Sequence, residues 1–427
     1  MKHILLCLGL DITAPVTALA SDALNPEQAL GKLLYEDVNL SLHRNQSCAT
    51  CHSLVATPGT LPTPGFADPA NITDGTAVSA GSVAGRFGGL NSPSAGYAAF
   101  SPFFHWDAVE KLYVGGQFWN GRAATLAEQA KQPILNPLEM AMPSAWAVVT
   151  RLKQNPEYVK RFAAVYGLDL KPVAARADAP ASATPPAGVL AAYDRLAQAI
   201  GAFEKSRTFN RFTSKFDYYL AGKIRLSKLE QQGLELFEDE KSQCSACHTS
   251  KPGAAPDGGV LPPLFTDFTY DNLGVPRNVN IPGNPPPDPG LAGHPLIAKQ
   301  PMAANERGKH KVMGLRNIAI TAPYGHNGVF RTLEQIVHFY NTRDTKSEVC
   351  TDNNDPRFGK TCWPAPEIRE NVNTEELGNL KLSAREEEAL VAFMKTLTDG
   401  YPDWGNDPEV PPGSPSPFAT TALPPAP

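Results

Sequence analysis

Two stretches far apart in the chain set out apolar and polar positions in the same order. Asn25-Pro26-Glu27-Gln28 has the make-up of a helix start: a capping Asn, Pro in the first turn and Gln three residues after the cap. Leu30, Leu33 and Leu34 then supply an apolar face. Ser227-Lys228-Leu229-Glu230 is a capping box opening a second helix, with Gly233, Leu234 and Phe237 following. Gly31-Lys32-Leu33-Leu34-Tyr35-Glu36-Asp37 matches Gly233-Leu234-Glu235-Leu236-Phe237-Glu238-Asp239, and each is soon followed by Cys-x-x-Cys-His. One helix-then-motif unit occurs twice, which predicts two related domains.

The rest of the pattern is helix separated by long loops. Ala191 to Phe203 is periodic and is assigned to the first domain, after an Ala- and Pro-rich loop from Lys171 to Gly188. Pro282 to Gly290 reads as a surface loop. Ser383 to Leu397 predicts a capped amphipathic helix, with Ser383 and Glu386 as the box and Leu390, Phe393 and Leu397 on one face. Beyond Tyr401 the Pro-rich tail is expected to be poorly ordered. Strand alternation is weak throughout, so the fold class is mainly α.

Composition narrows the setting. The 427 residues are 42% hydrophobic, enough for two or three globular domains. A net charge of −5 with no basic patch argues against nucleic acid. No apolar run reaches the ~18–20 residues of a membrane span, so no transmembrane anchor is expected. Lys2, the apolar run Ile4 to Leu10 and Ala18-Leu19-Ala20 resemble an export signal, with Asp11 an awkward fit. Export to the periplasm is expected ahead of the cell surface. Of the seven cysteines, Cys7 lies in that signal and four form the two close pairs. Cys350 and Cys362 remain, flanking a polar loop; in an oxidising compartment they would form a disulfide, the alternative being two free thiols.

Cys48-Ala49-Thr50-Cys51-His52 and Cys244-Ser245-Ala246-Cys247-His248 both have the c-type haem attachment spacing. Two thiols one helical turn apart can bond the two vinyl groups of one porphyrin, and the adjacent imidazole then reaches the iron. A single pair could be a redox dithiol or half a zinc site; two copies after matching helices point to two covalently bound haem c groups. The expected layout is two cytochrome c-like haem domains with long loops. Residues 1–20 are the signal, 21–222 the N-terminal domain, 223–400 the C-terminal domain and 401–427 the tail.

Three further blocks carry a resemblance: Phe118-Trp119-Asn120-Gly121-Arg122-Ala123; Pro133-Ile134-Leu135-Asn136-Pro137-Leu138-Glu139-Met140; and Thr321-Ala322-Pro323-Tyr324-Gly325-His326. With both haem motifs in order, the chain from Asn25 to Thr398 resembles the bacterial di-haem cytochrome c peroxidase and MauG family. The resemblance implies that hydrogen peroxide reacts at the His52 haem. Glu139 and Gln129 would line its distal face, the carboxyl moving a proton between the peroxide oxygens. Trp119 would relay electrons between the haems. Asn91, Thr321 and Pro323 match an interdomain calcium site, their oxygens suiting that ion. Read without the family, Trp119 is a core aromatic, Glu139 and Gln129 are surface residues, and the calcium set are turn residues.

Two departures select a branch. The typical peroxidases carry a distal His ahead of the Asn-x-Pro segment, but Ile72 to Leu90 contains none, so the first haem is expected to be open. His105 is a candidate substitute within an insertion, Ser101 to Val114. The family's Met ligand to the second haem falls at Tyr340, fourteen residues after His326, and the MauG branch has Tyr there. His248 and Tyr340 would then hold that iron; His338, Met302 and Met313 are the alternatives. Asn120 stands where the family usually has Asp. The resemblance leaves three outcomes in falling order. The first is peroxide removal with electrons from a small cytochrome c or copper protein. The second is MauG-like oxidation of tryptophan or another side chain on a partner protein. The third is plain electron carriage. A homodimer is compatible with all three.

Overall fold

A computed structural model describes residues 23–423; the proposed signal and Cys7 lie outside them. The elements that frame the site are helices α1 (Pro26–Glu36), α2 (Cys48–Cys51), α3 (Leu126–Leu135), α4 (Ala145–Lys153), α5 (Pro156–Tyr166), α6 (Ala187–Glu204), α7 (Lys228–Glu238), α8 (Cys244–Cys247), α9 (Leu333–Thr342) and α10 (Ala384–Lys395). Among the described residues the strands are short and pair in twos. The mainly α expectation holds.

The helix starts form as their sequences dictate. Asn25 and Gln28 bond each other's backbone reciprocally at α1, and Ser227 with Glu230 and Ser383 with Glu386 do the same at α7 and α10. Helix α6 begins four residues earlier than its periodicity suggests, directly after Pro186, because Ala187 and Gly188 can be recruited into a first turn.

Each half has its own hydrophobic core. In the first, α6 lies across α1, α3 and α4 and buries Leu196, Ile200 and Phe203 with Leu30 and Tyr35. In the second, α10 lies across α7 and buries Leu390 and Phe393 with Leu234 and Phe237. The two crossings are the same contact. A Cβ on Gly31 would overlap the Ala199 carbonyl and press on Phe203, and one on Gly233 would overlap the Ala389 carbonyl and press on Phe393. Glycine is required at both so that the helix backbones can touch.

The halves are joined by a buried polar seam. Arg316 forms a two-pronged ion pair with Asp217 at 2.9 and 3.0 Å and covers the rings of Tyr97 and Phe212. The Tyr97 hydroxyl donates to Asp399, as does the Asn317 amide. The tail corrects the expectation of poor order, since after a short turn of helix at Tyr401–Trp404 it straps over this seam. Val410 is buried, Ser416 donates to the Phe212 carbonyl, and Phe418 and Leu423 pack against the Tyr97–Phe212–Leu264 cluster. Beyond that turn its prolines keep it free of further helix, but its apolar residues still find a surface to cover. Cys350 and Cys362 are disulfide-bonded between two parallel strand segments, Glu348–Cys350 and Cys362–Pro364.

Candidate functional site

A single chamber of about 740 Å³ runs between the halves and is lined by both Cys-x-x-Cys-His motifs. Each cysteine pair occupies one helical turn, α2 or α8, and all four thiols are free, in contrast to Cys350 and Cys362. Each histidine closes its turn, with its amide donating to the carbonyl of the first cysteine, and each ring is aimed by a backbone oxygen. His248 Nδ1 lies 2.8 Å from the Phe265 carbonyl and His52 Nδ1 lies 3.4 Å from the Phe66 carbonyl. A donor on Nδ1 leaves Nε2 as the lone-pair nitrogen that a metal takes. Burial lowers both imidazole pKa values, which keeps the ligand form neutral. Phe66 and Phe265 both adopt left-handed backbone, at φ 54° and 56°. Bulky residues rarely do so, and here the conformation turns a carbonyl onto a ring. Free thiol pairs, a neutral imidazole beside each and a continuous apolar-walled chamber fit two haem c groups; Cys48, Cys51 and His52 would hold one and Cys244, Cys247 and His248 the other.

Trp119, Gln129, Glu139 and Tyr340 all line this chamber, as do Asn91, Thr321 and Pro323. Trp119 stands in a turn bounded by left-handed Phe118 and Gly121. Its indole N–H donates to the Asn91 carbonyl at 2.9 Å, and its ring meets the edges of His310 and His326, each 6.4 Å away. Those two imidazoles stack at 3.6 Å, with Asp288 beside one and Glu367 beside the other. His326 thus stacks on His310 and faces the Glu367 carboxylate beside the tryptophan.

Helix α3 carries Gln129 and, one turn on, Pro133, which cannot donate to the Gln129 carbonyl. The helix ends at Asn136, whose side chain accepts the Leu138 amide and donates to Glu139 at 2.8 Å, so a tight turn sets the carboxyl in place. Burial raises the Glu139 pKa; Arg122 and the Asn136 amide pull it back in part. Arg122 was not singled out from sequence, yet it is the cation of this wall. Its guanidinium lies 3.6 Å over the Phe118 ring and donates to Gln132 and to Asn120. Asn120 therefore holds Arg122 by a neutral carbonyl where the family usually supplies a carboxylate.

Helix α9 presents Tyr340 to the half of the chamber that holds Cys244 and Cys247; burial and those thiols push its phenol pKa up. Two of the three alternatives fall away. His338 is paired with Glu387 at 2.9 Å and with Lys346, outside the chamber wall, and Met302 is exposed. Met313 lines the chamber with Tyr340. His105 lies exposed on a hairpin formed by His105–Asp107 and Leu112–Val114, its ring bonded to the Phe103 carbonyl, so it is no substitute distal ligand. Asn91 bridges the halves: its amide nitrogen donates to the Pro323 carbonyl at 2.7 Å and to the Gly325 carbonyl at 3.4 Å. Thr321 precedes them on the same wall, its hydroxyl turned to the Ile318 carbonyl.

The comparisons with known proteins agree with this geometry. The family model described as di-haem cytochrome c peroxidase matches residues 25–225. The chain is 37% identical to the methylamine utilization protein MauG of Paracoccus denitrificans, over 91% of each chain. It is 32% identical to the cytochrome c peroxidase Ccp of Escherichia coli, over 72% of this chain and 51% of that protein. Among solved structures, a single-substitution variant of the diheme peroxidase BthA from Burkholderia thailandensis superposes with a TM-score of 0.70 at 32% identity, covering 88% of this chain and 86% of that one. Free paired thiols, aimed imidazoles and full-length likeness lead to one conclusion: the chain belongs to the di-haem cytochrome c peroxidase and MauG family and is a haem c oxidoreductase.

Proposed function

We propose that the chain reduces hydrogen peroxide at the His52 end of the chamber, with electrons from a small external donor protein arriving through the His248 end. Haem bound at each motif supplies the one-electron steps. The chain's own residues hold the groups apart, move the proton and keep the relay in place. Reduction consumes two electrons and two protons and yields two waters. Splitting the O–O bond needs a proton taken from one oxygen and returned to the other. Glu139 carries this reading: it is a half-buried carboxyl on the chamber wall, steadied by Asn136, with its pKa raised by burial. Arg122 beside it favours the negative charge that appears on the departing oxygen. Gln129 would orient peroxide by its amide.

Trp119 is read as the relay, its indole fixed by Asn91 between the two ends. Tyr340 and His248 would together hold the iron of the second haem, and no histidine lies in residues 72–90 to serve the first in the same way. A phenolate would favour the higher oxidation states of its iron. Calcium is assigned to Asn91 with the Thr321 and Pro323 carbonyls. Two carbonyls already converge on the Asn91 amide, which would turn to present its oxygen. The periplasm is the proposed compartment, supported by the disulfide.

Glu139→Gln is expected to slow the reaction of the ferric protein with peroxide at least about a hundredfold; a variant as fast as wild type would remove the assignment. Two equivalents of a reduced cytochrome c or copper protein should be oxidised per peroxide. Consumption of peroxide only when a partner protein's tryptophan is modified would replace this reading with the MauG-like one.

A further inference from the structure

Helix α6 carries one chamber group that the chemistry above does not use. Glu204 is 6% exposed, lines the chamber, and its Oε2 has no hydrogen-bond partner among the described residues. A buried carboxyl oxygen without a partner is costly, and native structures rarely keep one without a use.

The second half supplies an internal control. Phe203 and Phe393 occupy the same place at the two glycine crossings, so Glu204 is matched by Met394, which lines the same chamber. One half therefore sets an acid where the other sets a thioether. The groups within electrostatic reach of Glu204 are Tyr35 from α1 and Cys48 from α2, and Cys48 also feels Glu139. Tyr35 is neutral and bonds the His52 carbonyl at 3.1 Å, and Cys48 is a thioether once haem is attached. Among the described residues no ion pair to this carboxyl is seen, and burial pushes it up to about 8.

We propose that Glu204 is a proton-holding residue of the first haem site, releasing its proton when that site is oxidised and taking it back when the site is reduced. The oxidised site carries one more positive charge, which favours a carboxylate beside it. On reduction one electron arrives from the external one-electron donor and one proton from solvent settles on Glu204; oxidation reverses both. Proton and electron binding are then linked, each favouring the other. Met394 holds no proton, so the second site has no such link. The inference rests on haem attachment at Cys48 and Cys51 and not on the peroxide chemistry.

The test uses the loaded protein and two readouts other than turnover. Oxidised-minus-reduced infrared spectra at neutral pH should contain a carboxylic-acid carbonyl band that Glu204→Gln abolishes and Glu139→Gln retains. The first haem's midpoint potential should fall as pH rises in wild type. That slope should flatten in Glu204→Gln, which keeps the shape, and in Glu204→Met, which copies the other half, while the second haem's slope stays the same in all three. An unchanged slope in both variants, or a band that survives Glu204→Gln, overturns this inference alone. Absence of a covalent haem at the first motif in wild type overturns it together with the haem assignment.

Discussion

In the first half, Gly31 lets α1 cross α6 against Ala199 and Phe203; in the second, Gly233 lets α7 cross α10 against Ala389 and Phe393. Phe66 and Phe265 turn left-handed carbonyls onto His52 and His248. What binds and aims a haem is thus duplicated. What faces the haem is not. The first half sets Glu139, Gln129 and Glu204 on the chamber and the second sets Tyr340, Met313 and Met394. A repeated frame with unlike facing residues is how one unit can serve at one end as a reaction site and at the other as an electron port.

Substitutions in each half test that contrast. The largest effect is expected from Cys48→Ala with Cys51→Ala. Peroxide turnover should vanish and one covalent haem should be lost, while the second motif stays loaded; mass spectrometry of the intact chain counts the haems. Loss of both would show that the halves do not assemble independently. Next, Tyr340→Phe should change the optical and magnetic spectrum of the second haem alone, and an unchanged spectrum would leave Met313 as the ligand. The pH profile sharpens the role of the first half. Glu139 must be ionised to accept a proton, and its pKa is raised by burial, so the rate should fall as pH drops, and at a higher pH than an ordinary glutamate would give. Stopped-flow mixing with peroxide measures it, and the Glu139→Gln profile should be flat there. The smallest effects are expected at the frame: Gly31→Ala and Gly233→Ala should each destabilise their own half by about 1–3 kcal/mol through overpacking, seen as a lower denaturant midpoint. Equal loss in both halves from either change would mean that the cores are one cooperative unit.

Much of the frame was legible because it rests on local rules. The caps at Asn25, Ser227 and Ser383 and the two haem motifs depend on residues within a turn of each other, and the structure has them as expected. Chamber placement of Trp119, Glu139 and Tyr340 came only through the family resemblance, since their partners lie far along the chain. Arg122 escaped notice because its neighbours Asn120 and Gln132 look unremarkable one at a time. A second repeat could have been found: Pro64-Gly65-Phe66-Ala67-Asp68 and Pro263-Leu264-Phe265-Thr266-Asp267 share Pro-x-Phe-x-Asp at the carbonyls that aim the two histidines. The tail was misread because proline content reports the absence of helix and strand, while docking depends on where Val410 and Phe418 land.

The proposed contrast between the ends is one of coordination: the first haem would have an open face and the second would have both faces filled. Magnetic and optical spectroscopy of the resting ferric protein tests this most directly. The account predicts one high-spin and one low-spin haem, with peroxide added to that ferric form reacting at once. Two low-spin signals, or a strict need for reduction before peroxide reacts, would contradict it.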